Sequence, residues 1–255
     1  MNRILKSLLV FVLLAVAGFA ADTPMVAEWR KKAEAGNAFA QRWLGVMYES
    51  GGGVPKDSTE AVKWYLLAAE QGDTFAQSAL GYKYSHGEDV PKDYAEAVKW
   101  WRKAAEQGDA FAQFNLGEMY REGRGVPNDY AEAVKWYREA AEQGSANAQV
   151  MLGFFYNQGG PNIPQDFVES TKWYRKAAEQ GSDSAQNMLG LNYWGGFGVP
   201  KDYVQAHLWL NIAGVKGNEA ARKNIADLEK EMTPEQKAEA MKLARELFAK
   251  LTKGK

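Results

Sequence analysis

The chain has 255 residues, of which 46% are hydrophobic and 25% are charged, and its formal net charge at pH 7 is -1. These values are typical of a globular protein with a sizeable core, and a net charge near zero argues against a nucleic-acid partner. The sequence contains no cysteine, which excludes disulfide bonds, thiolate metal sites and a cysteine nucleophile.

The first predicted element is an apolar segment near the N-terminus. Arg3 and Lys6 precede an apolar run over residues 8–21, which is the layout of a secretory signal peptide. The run is shorter than the roughly 20 residues that a membrane span needs, so an uncleaved anchor is the weaker alternative. We expect a cleavable signal peptide over residues 1–20, with cleavage after Ala17 or Ala21 as alternatives. We also expect no stable membrane insertion after cleavage, and an exported bacterial protein that is periplasmic or secreted.

Several residues then recur in one register along the chain. A tryptophan returns after 36, 36, 37 and 36 residues, as Trp64, Trp100, Trp136, Trp173 and Trp209. Glycines at 45, 81, 117, 153 and 190 and prolines at 55, 91, 127, 164 and 200 keep the same step. Self-similarity at this period indicates tandem copies of one supersecondary unit. We predict five repeats, at residues 37–72, 73–108, 109–144, 145–181 and 182–217.

The first half of each repeat is predicted to be a helix with a glycine in its interior. In the first repeat, Ala40, Leu44 and Tyr48 lie on one helical face together with Gly45. A glycine inside a helix costs roughly 1 kcal/mol relative to alanine. Its return in every repeat therefore predicts that a neighbouring helix approaches the backbone closely at this point.

The second half of each repeat is predicted to be a helix with marked ends. Pro55 imposes an extended conformation on the residue before it, and Asp57 with Glu60 forms an acidic capping box at the helix start. Gly72 suits a left-handed helix terminus, and Asp73 directly after it suits the N-cap of the next helix. So short a turn predicts that the two helices pack as neighbours.

Partial elements flank the repeats. Residues 25–36 resemble the end of a second helix and are predicted to form an N-terminal partial repeat. Residues 218–252 are predicted to form C-terminal capping helices, because the first of them is more polar than its counterparts. Thr233 and Gln236 give the last of these helices a capping box of its own.

The repeated motif resembles the Sel-one-like repeat (SLR), a branch of the tetratricopeptide-repeat-like (TPR-like) helical proteins. Residues 123–133 carry it nearly complete, as Gly-x-Gly-Val-Pro-x-Asp-Tyr-x-x-Ala, and the resemblance covers about residues 25–232. It implies an all-α fold, a right-handed α/α superhelical solenoid of helix-turn-helix repeats. It also implies a non-enzymatic scaffold that binds a protein or peptide along its concave face.

In that family the first helices line the concave side, and the helical wheel selects the positions that the core leaves uncovered. The predicted protein-binding face consists of Arg42, Val46, Glu49, Ser78, Tyr82, Ser85, Phe114, Glu118, Arg121, Val150, Phe154, Asn157, Asn187, Leu191 and Trp194. The aromatic members are the favoured anchors, since aromatic side chains are typical of binding hot spots. Phe39, Phe75 and Phe111 either belong to this face or pack between adjacent first helices.

Candidate chemical motifs have structural explanations. His86 and His207 occupy different repeat positions without metal-ligand spacing, and the glycine clusters lack the strand and the Lys-Ser or Lys-Thr of a phosphate loop. No serine-nucleophile motif is present. We therefore expect a monomeric protein with no enzyme activity, no cofactor and no metal. A secreted factor that binds a host protein is one alternative. A weak β-lactam or cell-wall hydrolase is a less favoured one, because the cysteine-rich relatives linked to β-lactams differ from this cysteine-free chain.

Overall fold

A computed structural model describes residues 24–253, and within them it contains thirteen α-helices and no β-strand. The predicted all-α fold is therefore confirmed. The predicted signal peptide, residues 1–20, lies outside the described residues. The helices are α1 (Pro24–Glu34), α2 (Ala38–Ser50), α3 (Ser58–Glu70), α4 (Thr74–His86), α5 (Tyr94–Glu106), α6 (Ala110–Glu122), α7 (Tyr130–Glu142), α8 (Ala146–Gln158), α9 (Phe167–Glu179), α10 (Asp183–Gly195), α11 (Tyr203–Val215), α12 (Glu219–Leu228) and α13 (Pro234–Lys253). Among these helices, none combines the length and the apolar character that a membrane span requires.

The chain divides into two compact units. The first contains the residues up to 112 together with 124–126, and the second contains residues 113–123 together with those from 127 onward. Each unit has a core of its own. Leu44, Tyr65 and Leu80 are fully buried in the first core, and Leu152 and Leu189 are fully buried in the second unit.

Each second helix of a repeat begins at the predicted aspartate. In α3 the Asp57 carboxylate accepts a hydrogen bond of 3.0 Å from the backbone amide of Glu60. The backbone amide of Asp57 donates to the carbonyl of Tyr48 at 2.9 Å, while the Glu60 side chain pairs with Lys63 at 2.9 Å. The predicted aspartate cap is confirmed, whereas the glutamate does not complete the capping box because the preceding helix already satisfies the Asp57 amide.

The two helices of neighbouring repeats meet at the predicted glycine. Gly72 has a φ of +93°, a left-handed conformation that side chains with a Cβ disfavour. The backbone amide of Asp73 then donates to the carbonyl of Ala68 at 3.0 Å, and its carboxylate accepts from the amide of Ala76 at 2.9 Å. One helix thus ends and the next is capped within two residues, as predicted.

The glycine inside each first helix faces a large side chain. A Cβ placed on Gly45 would lie 2.7 Å from the ring of Tyr65, and one on Gly81 would lie 2.4 Å from Cδ1 of Trp101. Distances this short exclude any side chain unless the ring moves. The predicted close approach at this position is confirmed.

Buried glutamines join three helices at a time. Nε2 of Gln77 donates to the carbonyl of Ala69 at 3.0 Å, and its Oε1 accepts from Nε2 of Gln107 at 2.7 Å. Gln41 and Gln149 make the same two kinds of bond. The recurrence of glutamine in the first helix therefore has a structural cause, since each copy satisfies a carbonyl at the end of the preceding helix.

The fifth repeat breaks this pattern. Nε2 of Gln186 donates to the carbonyl of Ala178 at 2.9 Å, but its Oε1 is buried and has no hydrogen-bond partner among the described residues. The counterpart of Gln107 in this repeat is Lys216, whose Nζ donates to the carbonyl of Gly181 at 3.0 Å. A buried acceptor without a donor costs about 1–3 kcal/mol.

The C-terminal helices cover the fifth repeat. Leu208 stands where the earlier repeats have an exposed lysine such as Lys63, and it is buried together with Ala244 of α13. Before α13, the amide of Thr233 donates to Gln236 Oε1 at 2.9 Å and the Thr233 hydroxyl accepts from the Gln236 amide at 3.3 Å. The predicted capping box of the last helix is confirmed.

Candidate protein-binding surfaces

In the first unit, the guanidinium of Arg42 is held by three neighbours. Its Cζ lies 4.6 Å from the ring centre of Phe39 and 5.8 Å from that of Phe75, and its Nη1 lies 3.3 Å from Asp73 Oδ2. The predicted surface residue Arg42 is therefore half-buried and paired within the chain. Its cation–π contacts and its ion pair hold the guanidinium against both rings.

The sequence left two alternatives for three phenylalanines, which either belong to the binding face or pack between first helices. All three are half-exposed. Phe39, Phe75 and Phe111 expose 48%, 50% and 51% of their surfaces. Each is thus partly packed against the chain and partly open to solvent. Phe39 packs against Trp29 with ring centres 5.8 Å apart, and Phe75 packs against Tyr65 at 6.3 Å.

A groove with a volume of about 380 Å³ lies between the first helices of the first unit. Phe75, Tyr82 and Phe111 supply its aromatic lining, and Ser78 lies in it as well. Tyr82 is 37% exposed, stacks on His86 with ring centres 4.1 Å apart and lies 6.5 Å from the ring of Phe111. We call this site the first groove; its other lining residues are Glu49, Ala79, Lys83, Glu88 and Asp109.

A buried lysine lies beneath one side of the first groove. Nζ of Lys83 is 2.6 Å from Glu49 Oε1 and 2.8 Å from Asp89 Oδ2, and the Lys83 side chain is only 4% exposed. Burial lowers the pKa of Lys83, but hydrogen bonds to Asp89 and Glu49 outweigh burial and raise the pKa above its ordinary value. The hydroxyl of Tyr65 donates to Glu49 Oε2 at 2.8 Å, and burial together with Glu49 raises the pKa of that tyrosine.

Sequence reasoning did not identify Lys83. Its position holds Met47 and Met119 in other repeats, so the helical pattern assigns it to the core. The signal that could have found it is a charged residue at a position that is otherwise apolar.

Three predicted surface residues are buried, which corrects their assignment to an open face. Ser78 is 8% exposed and its hydroxyl donates to Asp109 Oδ1 at 3.1 Å. Ser85 bonds to the Tyr82 carbonyl, and Asn187 accepts from Asn224 at 2.9 Å. Short polar side chains at these positions reach a neighbouring acceptor or donor within the chain instead of solvent. The remaining predicted positions in the first unit include Val46, which is half-buried against the core.

In the second unit, Glu118 and Arg121 form an internal pair. Arg121 Nη2 lies 2.6 Å from Glu118 Oε2, and its Nε donates to Glu118 Oε1 at 3.2 Å. Tyr137 also donates its hydroxyl to Glu118. The Glu118 hydrogen bond raises the pKa of Arg121, while burial and then Glu118 raise the pKa of Tyr137. Phe114 is half-buried with its ring 5.7 Å from that of Tyr137.

Phe154 is the most exposed aromatic residue of the predicted face in the second unit. It exposes 46% of its surface and meets Phe155 edge-on with ring centres 5.7 Å apart. Val150, by contrast, is half-buried and packs against the core around Leu189.

A second groove, with a volume of about 460 Å³, lies at the C-terminal side of the second unit. It is lined by the predicted residues Asn157, Leu191 and Trp194 together with Phe197 and Glu231. The last two were not predicted, because neither lies on a first helix of a repeat.

The side chain of Trp194 is hydrogen-bonded to the C-terminal part of the chain. Its Nε1 donates to Glu231 Oε1 at 3.2 Å, and the Tyr203 hydroxyl donates to Glu231 Oε2 at 2.7 Å. The Tyr203 bond is the main reason that the pKa of Glu231 lies below its ordinary value. Trp194 is therefore half-buried at the edge of the second groove.

The sequence matches the family model described as Sel1 repeat at residues 38–73, 74–109, 110–145, 146–182 and 183–218. These five segments cover well over half of the chain. The chain belongs to the Sel1 repeat family. Each Sel1 repeat of the family model begins one residue after the boundary predicted from the sequence periodicity.

Two solved Sel1-repeat structures are similar to this chain. One is c5321, described as a protective antigen present in uropathogenic Escherichia coli strains and displaying an SLR fold, with 40% identity, a TM-score of 0.75 and coverage of 90% of this chain and 48% of that one. The chain thus spans about half the length of c5321. The other is a Sel1 repeat protein from Oxalobacter formigenes, with 38% identity, a TM-score of 0.68 and coverage of 82% and 85%. No curated protein sequence matches the chain.

The histidines of this Sel1-repeat protein have separate surroundings. His86 stacks on Tyr82 at the surface, whereas His207 is 1% exposed with its Nε2 2.9 Å from Glu229 Oε1. In the part of the chain that the structure describes, no three His, Asp or Glu side chains are grouped as metal ligands would be.

Proposed function

We propose that this Sel1-repeat protein is an exported, non-enzymatic scaffold that binds a protein or peptide on the face formed by its first helices. The observation that carries the proposal is the set of half-exposed aromatic side chains on those helices: Phe75, Tyr82 and Phe111 around the first groove, and Phe154 in the second unit. Exposed aromatic groups beside polar residues are typical of protein interaction sites.

The internal pairing of the charged residues supports binding over catalysis. Lys83 is shared by Glu49 and Asp89, and Arg121 is held by Glu118. Such pairs fix the shape of a surface, and they occupy the groups that acid–base chemistry would need. The proteins of this family generally act as scaffolds without enzyme activity.

Export is supported by the apolar run over residues 8–21 and the basic residues before it. Mass spectrometry of the protein recovered from a periplasmic extract tests this part of the proposal. We expect an N-terminus that begins directly after residue 20. Recovery of the intact chain from the cytoplasm alone contradicts export.

The binding proposal is tested by affinity capture with the full chain. The surface variant carries Tyr82→Ala and Phe154→Ala. The control variant carries Val168→Ala and Val215→Ala, which remove apolar groups that are 64% and 63% exposed on second helices. We expect the wild type and the control to recover the same partner and the surface variant to recover at least tenfold less. Equal recovery by both variants contradicts binding through the first helices.

The 40% identity to a protective antigen favours a second candidate function, a secreted factor that contacts a host protein. Capture from host-cell and bacterial extracts in parallel separates the two candidates. A partner found in the host extract alone favours the second, and a partner found in the bacterial extract alone rules it out.

A further inference from the structure

The first and second repeats share a frame of two phenylalanines and an aspartate. In the first repeat the frame consists of Phe39, Phe75 and Asp73, and it encloses the guanidinium of Arg42. The Arg42 Cζ lies 4.6 Å and 5.8 Å from the two ring centres, and its Nη1 lies 3.3 Å from Asp73 Oδ2. The chain itself thus shows which group this frame accommodates.

The same frame recurs 36 residues later without its arginine. Phe75, Phe111 and Asp109 occupy the corresponding positions, but Ser78 stands at the position of Arg42. The Ser78 hydroxyl donates to Asp109 Oδ1 at 3.1 Å and does not reach the rings. All four residues line the first groove, whose volume of about 380 Å³ lies where the longer side chain is missing.

The charge of the first groove suits a cation. Glu49, Glu88 and Asp109 line it, and Lys83 is the single basic residue of the lining. Because Lys83 lies 2.6 Å from Glu49 and 2.8 Å from Asp89, its charge is already neutralised within the chain. Both Glu49 oxygens are occupied as well, one by Lys83 and one by Tyr65. The carboxylates that the groove presents beside the aromatic rings are therefore Glu88 and Asp109.

We propose that the first groove binds the side chain of an arginine that the partner supplies. This inference rests on the proposed function, because the arginine belongs to the bound protein or peptide. A guanidinium is planar, stacks on aromatic faces and donates several hydrogen bonds to carboxylates, whereas the ammonium of lysine is a compact, strongly hydrated charge. The frame around Arg42 has the features that select the planar group.

The probe is an acetylated and amidated Gly-Gly-Arg-Gly-Gly peptide, compared with its lysine and glutamine analogues. Binding to the full chain is followed by nuclear magnetic resonance through the backbone amides of Ser78, Ala79 and Tyr82. We expect saturable shifts with the arginine peptide, at least fivefold weaker binding of the lysine peptide and no saturable shift with glutamine. Equal binding of the three peptides, or no binding of the arginine peptide, overturns the inference.

Two variants locate the bound group. Ser78→Arg places a tethered guanidinium in the groove as Arg42 does in the first repeat, and we expect at least a tenfold loss of affinity for the arginine peptide. Asn147→Arg adds the same charge to an exposed position of a first helix in the second unit and serves as the control with unchanged affinity. Asp109→Asn keeps the helix cap, because asparagine caps as well as aspartate, and is expected to weaken binding at least threefold. Unchanged binding by Ser78→Arg and Asp109→Asn refutes the assignment.

The converse variant is Arg42→Ser, which removes the arginine from the first frame. We expect the stoichiometry of the arginine peptide to rise from one to two, and an unchanged stoichiometry counts against the frame as the recognition element. The peptide test is independent of partner capture. If Ser78→Arg still captures the partner at the wild-type level, the arginine inference fails and the proposed function stands. If the wild type captures no partner, the proposed function fails.

Discussion

The second and fifth repeats place a glutamine at the same point of the first helix, but only one of these glutamines has both polar atoms bonded. Gln77 donates and accepts, because Gln107 supplies a donor to its Oε1. Gln186 only donates, because Lys216 stands where Gln107 does. The periodic residue therefore fixes the position of the buried amide, and a non-periodic neighbour decides whether its hydrogen bonds are complete.

The two repeats also differ at an interior position that is apolar in other repeats. It holds Lys83 in the second repeat and Asn192 in the fifth, and both are buried. Lys83 pairs with carboxylates, whereas Asn192 Nδ2 donates to Thr171 Oγ1 at 2.7 Å. The repeat thus accommodates either a buried lysine or a buried asparagine at this position, provided that a neighbouring side chain forms an ion pair or a hydrogen bond with it.

The largest expected effect in the two repeats concerns their interior glycines. We expect Gly81→Ala to lower the free energy of unfolding by about 3 kcal/mol, because its Cβ would lie 2.4 Å from the buried Trp101 ring. Gly190→Ala should cost less, about 2 kcal/mol, because its Cβ would lie 2.7 Å from Leu210 Cγ and 3.0 Å from the Ala206 carbonyl oxygen, a smaller overlap than at Gly81. Urea unfolding followed by circular dichroism measures both. Equal losses would show that ring size does not set the requirement for glycine.

Substitution of the buried glutamines Gln77 and Gln186 by alanine compares the second and fifth repeats a second time. We expect Gln77→Ala to cost about 2 kcal/mol and Gln186→Ala about 1 kcal/mol, since the first breaks one buried and one partly buried hydrogen bond and the second breaks a single buried one. The measurement is again urea unfolding. A larger loss for Gln186→Ala contradicts the unpaired state of its Oε1.

A substitution at Lys216 can supply the hydrogen bond that Gln186 Oε1 lacks within the described part of the chain. Lys216→Gln should place an amide donor next to Gln186, as Gln107 does next to Gln77, and raise the free energy of unfolding by about 1 kcal/mol. The exposed bond from Lys216 to the Gly181 carbonyl contributes little. Val215→Gln, at the neighbouring exposed position, is the control and should not stabilise the protein.

The smallest effect at neutral pH is expected for Lys83→Met, which introduces the residue found at positions 47 and 119. We expect a change within about 1 kcal/mol at pH 7, because methionine suits the buried position and the two carboxylates left behind, Glu49 at 43% and Asp89 at 29% exposure, remain in contact with water. Hydrogen bonding to Lys83 lowers the pKa of Asp89 below its ordinary 3.8. That stabilisation is present above pH 3.8 and is lost as the pH falls through the lower, folded-state pKa. Between pH 7 and pH 2.5, the free energy of unfolding should therefore fall less steeply in Lys83→Met than in the wild type. Parallel pH curves for the two proteins would contradict the role of the Lys83–Asp89 pair.

Much of the fold follows from local residue patterns. The aspartate caps and the helix-ending Gly72 depend on contacts within a few residues, and the period of 36 residues repeats them along the chain, so these features were predicted. The candidate surface was predicted less completely. A helical wheel gives the direction of Ser85 and Asn187, but it does not tell whether a neighbouring helix supplies a hydrogen-bond partner, and both residues are buried.

The sequence by itself determined the family, the number of repeats, the helix ends and the need for glycine inside each first helix. The tertiary structure alone decided which polar residues are bonded within the chain: Lys83 to two carboxylates, and Trp194 to Glu231, 37 residues away. The physical reason is the separation along the sequence between the residues that interact. Caps and turns are closed by neighbours along the chain, whereas hydrogen bonds and ion pairs between side chains depend on helices that only the packed fold brings together.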